Sequence, residues 1–294
     1  MKIIRYLDPQ GVASYGAEQA DGSVRRIEGD VLGAHQVTNE TATVRKRLAP
    51  IVPAQILGVG LNYRHHAAES GMKAPELPVL FVKGINTLQH PGDPILIPTH
   101  LPSDEVDYEC ELAVVIGRAC KNVDRAHALD YVLGYTCAND VSARDWQIKR
   151  GGGQWCRGKF FDTFCPLGPC LVTTDEIKNP NDLKIATRIN GVTLQDWTTS
   201  DKIFDVPRII EFLSASTTLV PGTVILTGTP HGVGMAAKPV PRWLKPGDIV
   251  TIEIERIGQL TNPVALEGAS RPRPGSLRAR RRPRHFPAHA RPVG

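Results

Sequence analysis

Residues 106–117 read VDYECELAVVIG. The second half, LAVVIG, is a near-continuous aliphatic and β-branched run, the pattern of a strand buried on both faces. Side chains alternate between the two faces of a strand, so Glu109 and Glu111 project together. Two carboxylates that close repel each other unless a cation lies between them. A wet strand face would also hold a Glu-x-Glu pair, but the aliphatic continuation argues against one. Oxygen-only donors suit a hard cation such as Mg²⁺, Mn²⁺ or Ca²⁺ better than Zn²⁺. A third oxygen ligand is needed. Asp140, just past the strand-like VLGYTCA, is the candidate, although spacing alone does not select it from other acids.

The same β character extends outward. The chain of 294 residues holds 27 Gly and 24 Pro, which favours short strands and turns over long helices. Residues 1–50 predict a small β-rich domain, with IIRYL, VASYGAE and SVRRIEG as strands between Asp-Pro, Gly and Asp-Gly turns. A Pro-bounded join at 49–53 leads into the main domain, 53–267. There QILGVG at 55–60, residues 77–83, 132–138, 223–227 and 249–254 read as strands. Residues 63–70 and 124–129 read as helical turns. Apolar residues at helical spacing (Ile203, Val206, Ile209, Ile210, Leu213) predict a helix over 203–214.

The net charge of +5 misleads. Residues 268–294 carry eight Arg, no Lys and no acid, so the remaining residues sum to 5 − 8 = −3. That Arg- and Pro-rich tail has too few aliphatics to order itself and is expected to be disordered. The acidic body argues against nucleic acid as a partner. No apolar run approaches the ~20 residues of a membrane span, and the N-terminus reads as neither a secretory signal nor a transit peptide, so a cytoplasmic protein with no membrane partner is expected. The six Cys form no CxxC pair, which predicts reduced, mostly buried thiols.

Three further stretches carry chemistry. On a helix, His66 and Glu69 (i, i+3) share a face, and a carboxylate on an imidazole makes a general base. His65 points elsewhere and reads as a solvated residue. Arg144 and Lys159 set positive charge in apolar or Gly-rich surroundings, where an anionic substrate can be met. The segment LTGTPHGVG at 226–234 is a strand running into a Gly-rich loop, but it has neither GxxxxGK[ST] nor GxGxxG, so nucleotide binding is not supported.

Together, GLNYRHHAAE, VDYECELAVVIG, NDVSARDWQ, GKFFDTFCPLGP, INGVTLQDWTTSDKIF and ILTGTPHGVG resemble, in order, the motifs of the fumarylacetoacetate hydrolase family. The resemblance covers residues 53–267 and is nearest to the broad bacterial and mitochondrial domain-containing branch. It implies a mainly β fold with some α (α+β), a mixed β-sandwich roll with a small N-terminal β-rich domain, usually a homodimer. It implies Mg²⁺ or Mn²⁺ on Glu109, Glu111 and Asp140, and a catalytic dyad of His66 and Glu69 on a lid. It also implies catalytic Lys159, and substrate-binding Lys83, Arg144, Gln147 and Thr229. The implied chemistry takes a small 2-oxo acid or acylpyruvate through a metal-bound enolate, with C–C bond hydrolysis foremost. Tautomerisation, isomerisation or decarboxylation of oxaloacetate or 2-hydroxyhepta-2,4-diene-1,7-dioate is the alternative, and aromatic-compound catabolism the setting. A non-catalytic metal-binding protein is a further reading, opposed by the intact dyad and triad. Nothing in the family accounts for the Arg-rich end.

Overall fold

A computed structural model describes residues 1–268; the remainder of the expected disordered tail lies outside the described residues. The fold is mainly β with few helices, in agreement with the expected class. The strand Cys110–Ile116 is buried along its whole length and lies inside a large sheet. It pairs antiparallel with Val132–Asn139 on one side and with Thr223–Leu226 on the other. Thr223–Leu226 pairs in parallel with Gln55–Gly60, which pairs antiparallel with Val79–Lys83. In the other direction Val132–Asn139 pairs with Cys165–Thr173, and that strand pairs with Lys2–Leu7. The N-terminal strands Lys2–Leu7, Ala13–Glu18, Val24–Gly29 and His35–Thr41 thereby extend the same sheet. A second sheet runs Val192–Thr198, Lys184–Ile189, Ile249–Ile254, Gly258–Leu266 and Ile95–Ile97.

Alternation along the acidic strand divides the core. Leu112 and Val114 join Ile225, Val59 and side chains of the second sheet in one cluster. Ala113 and Val115 join Val224, Leu226, Ile56 and Ile3 in another. Each buried Val, Leu or Ile contributes roughly 1.5–3 kcal/mol through removal of apolar surface from water. The floor of the site is therefore built on a strand that is buried between two core clusters.

The expected strand over 106–117 is interrupted. Val106–Asp107 pairs with Ser142–Ala143 in a separate two-stranded ribbon, and regular pairing resumes at Cys110. The buried Asp107 carboxylate accepts from its neighbour Tyr108 N–H at 2.8 Å, as well as from Gly234 N–H at 2.8 Å and Met235 N–H at 3.0 Å. Such a local side-chain bond competes with the ladder. Two other expectations shift. The helix Val206–Ser214 starts three residues later than its apolar spacing suggested, because Asp205 caps it (Oδ1 accepting from Arg208 N–H at 2.9 Å) while Ile203 N–H goes to Asn62 C=O at 2.7 Å. The turn after Asp124 is a 3₁₀ helix, Arg125–Tyr131.

Candidate active site

Strand register assembles the acidic floor. Cys110 stands opposite Asn139, so Asp140 emerges from the end of the neighbouring strand beside Glu109, and its N–H donates to Glu109 C=O at 2.9 Å. Carboxylate oxygens of Glu109, Glu111 and Asp140 all lie within 4.8 Å of one another, and all three residues are buried. The third acid that spacing could not single out is placed by pairing.

Three cations hold this cluster together. Lys159 Nζ donates to Asp140 Oδ2 at 2.5 Å, Ser142 Oγ at 2.7 Å and Glu109 Oε2 at 2.8 Å. Lys83 Nζ donates to Asp140 Oδ1 at 2.6 Å and Val141 C=O at 3.1 Å. Arg144 lies 2.7 Å from Glu109 Oε1 through one terminal nitrogen, donates to Gln147 Oε1 at 3.0 Å through the other, and donates from Nε to Asp107 at 2.9 Å. Burial alone would raise the Glu109 carboxyl, but Lys159 and Arg144 outweigh it and hold it well below the usual range. Burial likewise disfavours charge on Lys159, and Asp140 and Glu109 keep it protonated. Glu111 is different. It accepts from Gly228 N–H at 2.6 Å and makes no ion pair among the described residues, so burial, then repulsion by Asp140 and Glu109, push its carboxyl well up.

This donor set fits a hard divalent cation. It is all oxygen, it is closely spaced, and an ammonium is already drawn between Glu109 and Asp140. The under-compensated Glu111 is the carboxylate that a further positive charge would relieve.

Above the floor lies a cavity lined by Glu109, Glu111, Arg144, Gln147, Lys159 and Thr229, with His66 also on its wall. Its empty space, counted out through the mouth, is about 680 Å³. His66 sits on the short helix α1, Arg64–Glu69, and its Nδ1 lies 2.7 Å from Glu69 Oε1. Glu69 in turn accepts from Gly232 N–H at 3.0 and 3.1 Å. With Nδ1–H directed at Glu69, the second ring nitrogen carries the lone pair. Lys83 does not line the cavity; its ammonium is enclosed behind Asp140. His65, expected to be merely solvated, is held on Asp201: ring Nδ1 lies 3.0 Å from one carboxylate oxygen and its N–H donates to the other at 3.1 Å. Its ring packs 4.5 Å from Trp197.

Several supporting residues escaped sequence reasoning. Gln195, in the second sheet, donates to Thr229 Oγ1 at 2.9 Å and Pro230 C=O at 2.8 Å, and accepts from Cys110 N–H at 3.1 Å and Thr187 at 2.7 Å. It thus fastens the Gly-rich loop to the acidic strand. Asp107 joins Arg144 to the same loop, and Ser142 takes the third Lys159 proton. Lys202 stands opposite Tyr63 across an isolated bridge; among the described residues its buried ammonium has no hydrogen-bond partner, and burial lowers its pKa to about 7 against a partial offset from Glu111. A polar residue inside a quoted motif was the available signal for Asp107 and Gln195, but the sequence did not say what each would touch. The six thiols are free, and burial pushes those of Cys110 and Cys165 up to about 12, which makes them poor nucleophiles.

Known proteins resemble this chain in sequence and in fold. The fumarylacetoacetate hydrolase C-terminal family matches residues 55–265. The chain is 49% identical over 218 residues to the mitochondrial oxaloacetate tautomerase fahd2 of Xenopus laevis, covering 74% of this chain and 67% of that protein. Among solved structures, the 5-carboxymethyl-2-hydroxymuconate delta-isomerase of Mycobacterium smegmatis is 40% identical with a TM-score of 0.79, covering 91% of this chain and 100% of that one. The fumarylacetoacetate hydrolase of Exiguobacterium antarcticum is 36% identical with a TM-score of 0.81, over 91% and 100% of the two chains. The fold, the ordered motifs and these matches together place the chain in the fumarylacetoacetate hydrolase family.

Proposed function

We propose that this enzyme uses Mg²⁺ or Mn²⁺ on Glu109, Glu111 and Asp140 to act on a small 2-oxo acid, and that its foremost reaction is hydrolysis of the C–C bond of an acylpyruvate. The observation that carries this reading is the His66–Glu69 pair facing a buried acidic triad across one cavity. Glu109, Glu111 and Asp140 would hold the cation, which would supply Lewis acidity toward the 2-oxo acid head group. The chain's own groups do the rest. The free ring nitrogen of His66 takes a proton from water, whose oxygen attacks the distal C4 carbonyl. Glu69 holds the ring in the required tautomer and stabilises the imidazolium. The C3–C4 bond breaks, its electron pair stays on the pyruvate fragment, and C3 receives a proton. Arg144 and Lys159 line the cavity beside the acidic floor, and their positive charge offsets the negative charge that develops as the bond breaks. Thr229 and Gln147 orient the substrate.

Tautomerisation or isomerisation is the second reading, favoured by the names of the Xenopus and Mycobacterium relatives. It uses the same base and omits the attack by water. Acetylpyruvate distinguishes the two: hydrolysis yields equal pyruvate and acetate, dependent on Mg²⁺ and abolished by EDTA. Absence of cation-dependent cleavage together with absence of cation-dependent enol–keto conversion of any 2-oxo acid would overturn both readings.

A further inference from the structure

We infer that the cavity selects 2-oxo acids whose far end is apolar, an alkyl or aryl acyl group, over dicarboxylates. The inference rests on the function proposed above and deepens it. It starts from where positive charge is found. The sequence offers Lys83, Arg144 and Lys159, enough in number for a second carboxylate. The structure puts all three against the same acidic floor. Lys159 spends its three protons on Glu109, Asp140 and Ser142; Arg144 is engaged by Asp107, Glu109 and Gln147; Lys83 lies behind Asp140. Among the described residues, no other Arg or Lys lines the cavity.

Away from the floor the wall is mostly apolar, formed by Leu61, Met72, Ile148, Trp155 and Met235, with His66, Ser70 and Thr229 as its polar members and the Phe81 ring reaching down to 4.7 Å from Lys159 Nζ. Met72 and Ile148 are 44% and 52% exposed, which marks them as the mouth side, opposite the buried triad. The aromatic part of this wall is built into the backbone. Gly58 and Gly60 lie two apart on the strand Gln55–Gly60, on one face. A Cβ on Gly58 would stand 2.1 Å from Phe81 Cζ, and one on Gly60 would stand 2.1 Å from Trp155 Cζ3. Both side chains are left out where two rings seat against the strand, 6.3 Å apart between centroids. A distal carboxylate entering this region would lose its water, and the nearest ammonium, Lys159, is already held by Glu109 and Asp140. A methyl or phenyl group would gain by burial.

The test compares two inert acids of equal length and shape, 2-oxoglutarate and 5-methyl-2-oxohexanoate, in which an isopropyl group replaces the distal carboxylate. Binding to the full chain is measured by calorimetry with saturating Mg²⁺. The apolar acid should bind at least about tenfold more tightly. Met72→Arg, a surface change that adds a cation at the mouth, should narrow or invert that ratio chiefly by strengthening 2-oxoglutarate. Equal or tighter binding of 2-oxoglutarate to the unaltered chain overturns this inference and leaves the 2-oxo acid reading standing. Binding of neither acid, with metal bound, overturns that reading and this inference with it.

Discussion

Lys202→Met perturbs a buried ammonium that, among the described residues, has no hydrogen-bond partner. Its pKa falls from 10.5 to about 7 because burial disfavours the charged form, with Glu111 and Asp205 offsetting only part of that cost. The group therefore binds fewer protons folded than unfolded between about pH 7 and pH 10.5, and stability rises with pH across that window. Below pH 7 the full penalty applies, on the order of 5 kcal/mol, and it is relieved to about 2 kcal/mol by pH 9. Met has similar length and no charge, and replacing buried ions by apolar groups is often stabilising by about 1–4 kcal/mol. Urea unfolding of both proteins at pH 6, 7.5 and 9, without added metal, reads this directly. The variant should be more stable by several kcal/mol at pH 6, and its advantage should shrink as pH rises. A variant less stable at pH 6, or an advantage independent of pH, would show that the Lys202 ammonium is compensated and that the reasoning is wrong.

Other outcomes follow from the same geometry. His66→Ala should lower turnover by about 10²–10⁴; because His66 is not among the triad, Mn²⁺ affinity measured by calorimetry should hardly change, and a large loss would make it a ligand. Gln195→Leu removes the anchor of Thr229 and leaves Cys110 N–H without its acceptor, so KM should rise more than kcat falls and stability should drop by about 1–3 kcal/mol; unchanged KM would dissociate the loop from the substrate. Gly60→Val should displace Trp155, seen as a shift in tryptophan fluorescence and weaker binding of bulky 2-oxo acids. An unaltered spectrum would show that the ring does not rest where the backbone leaves room.

Much of the site was legible because it lies in compact motifs. VDYECELAVVIG placed two acids on a buried strand, and NYRHHAAE placed an imidazole and a carboxylate on one helical face. What pairing decides was not legible. Asp140 becomes the third acid only through the register of Val132–Asn139 against Cys110–Ile116. Lys83 is three strands away from Cys110–Ile116 in the sheet and turns out to sit behind Asp140 instead of on the cavity wall. The strand Cys165–Thr173 carries Pro166 and Pro169, which argue against an interior strand; it is tolerated where the register against Val132–Asn139 shifts. The strands Lys184–Ile189 and Val192–Thr198 mix polar and apolar residues too evenly to announce themselves, yet they bring Gln195 to the acidic strand. The apolar outer wall was hidden for a similar reason: its rings come from separate elements and meet only over Gly58 and Gly60.

The central claim is that Glu109, Glu111 and Asp140 form one divalent-cation site serving the His66–Glu69 base. Titration of Mn²⁺ into the protein, followed by calorimetry and by the electron paramagnetic resonance of the free ion, tests it most directly. The account predicts one ion per chain, and loss of that binding in Glu111→Gln with the fold retained by circular dichroism. Unchanged stoichiometry and affinity in Glu111→Gln would contradict it.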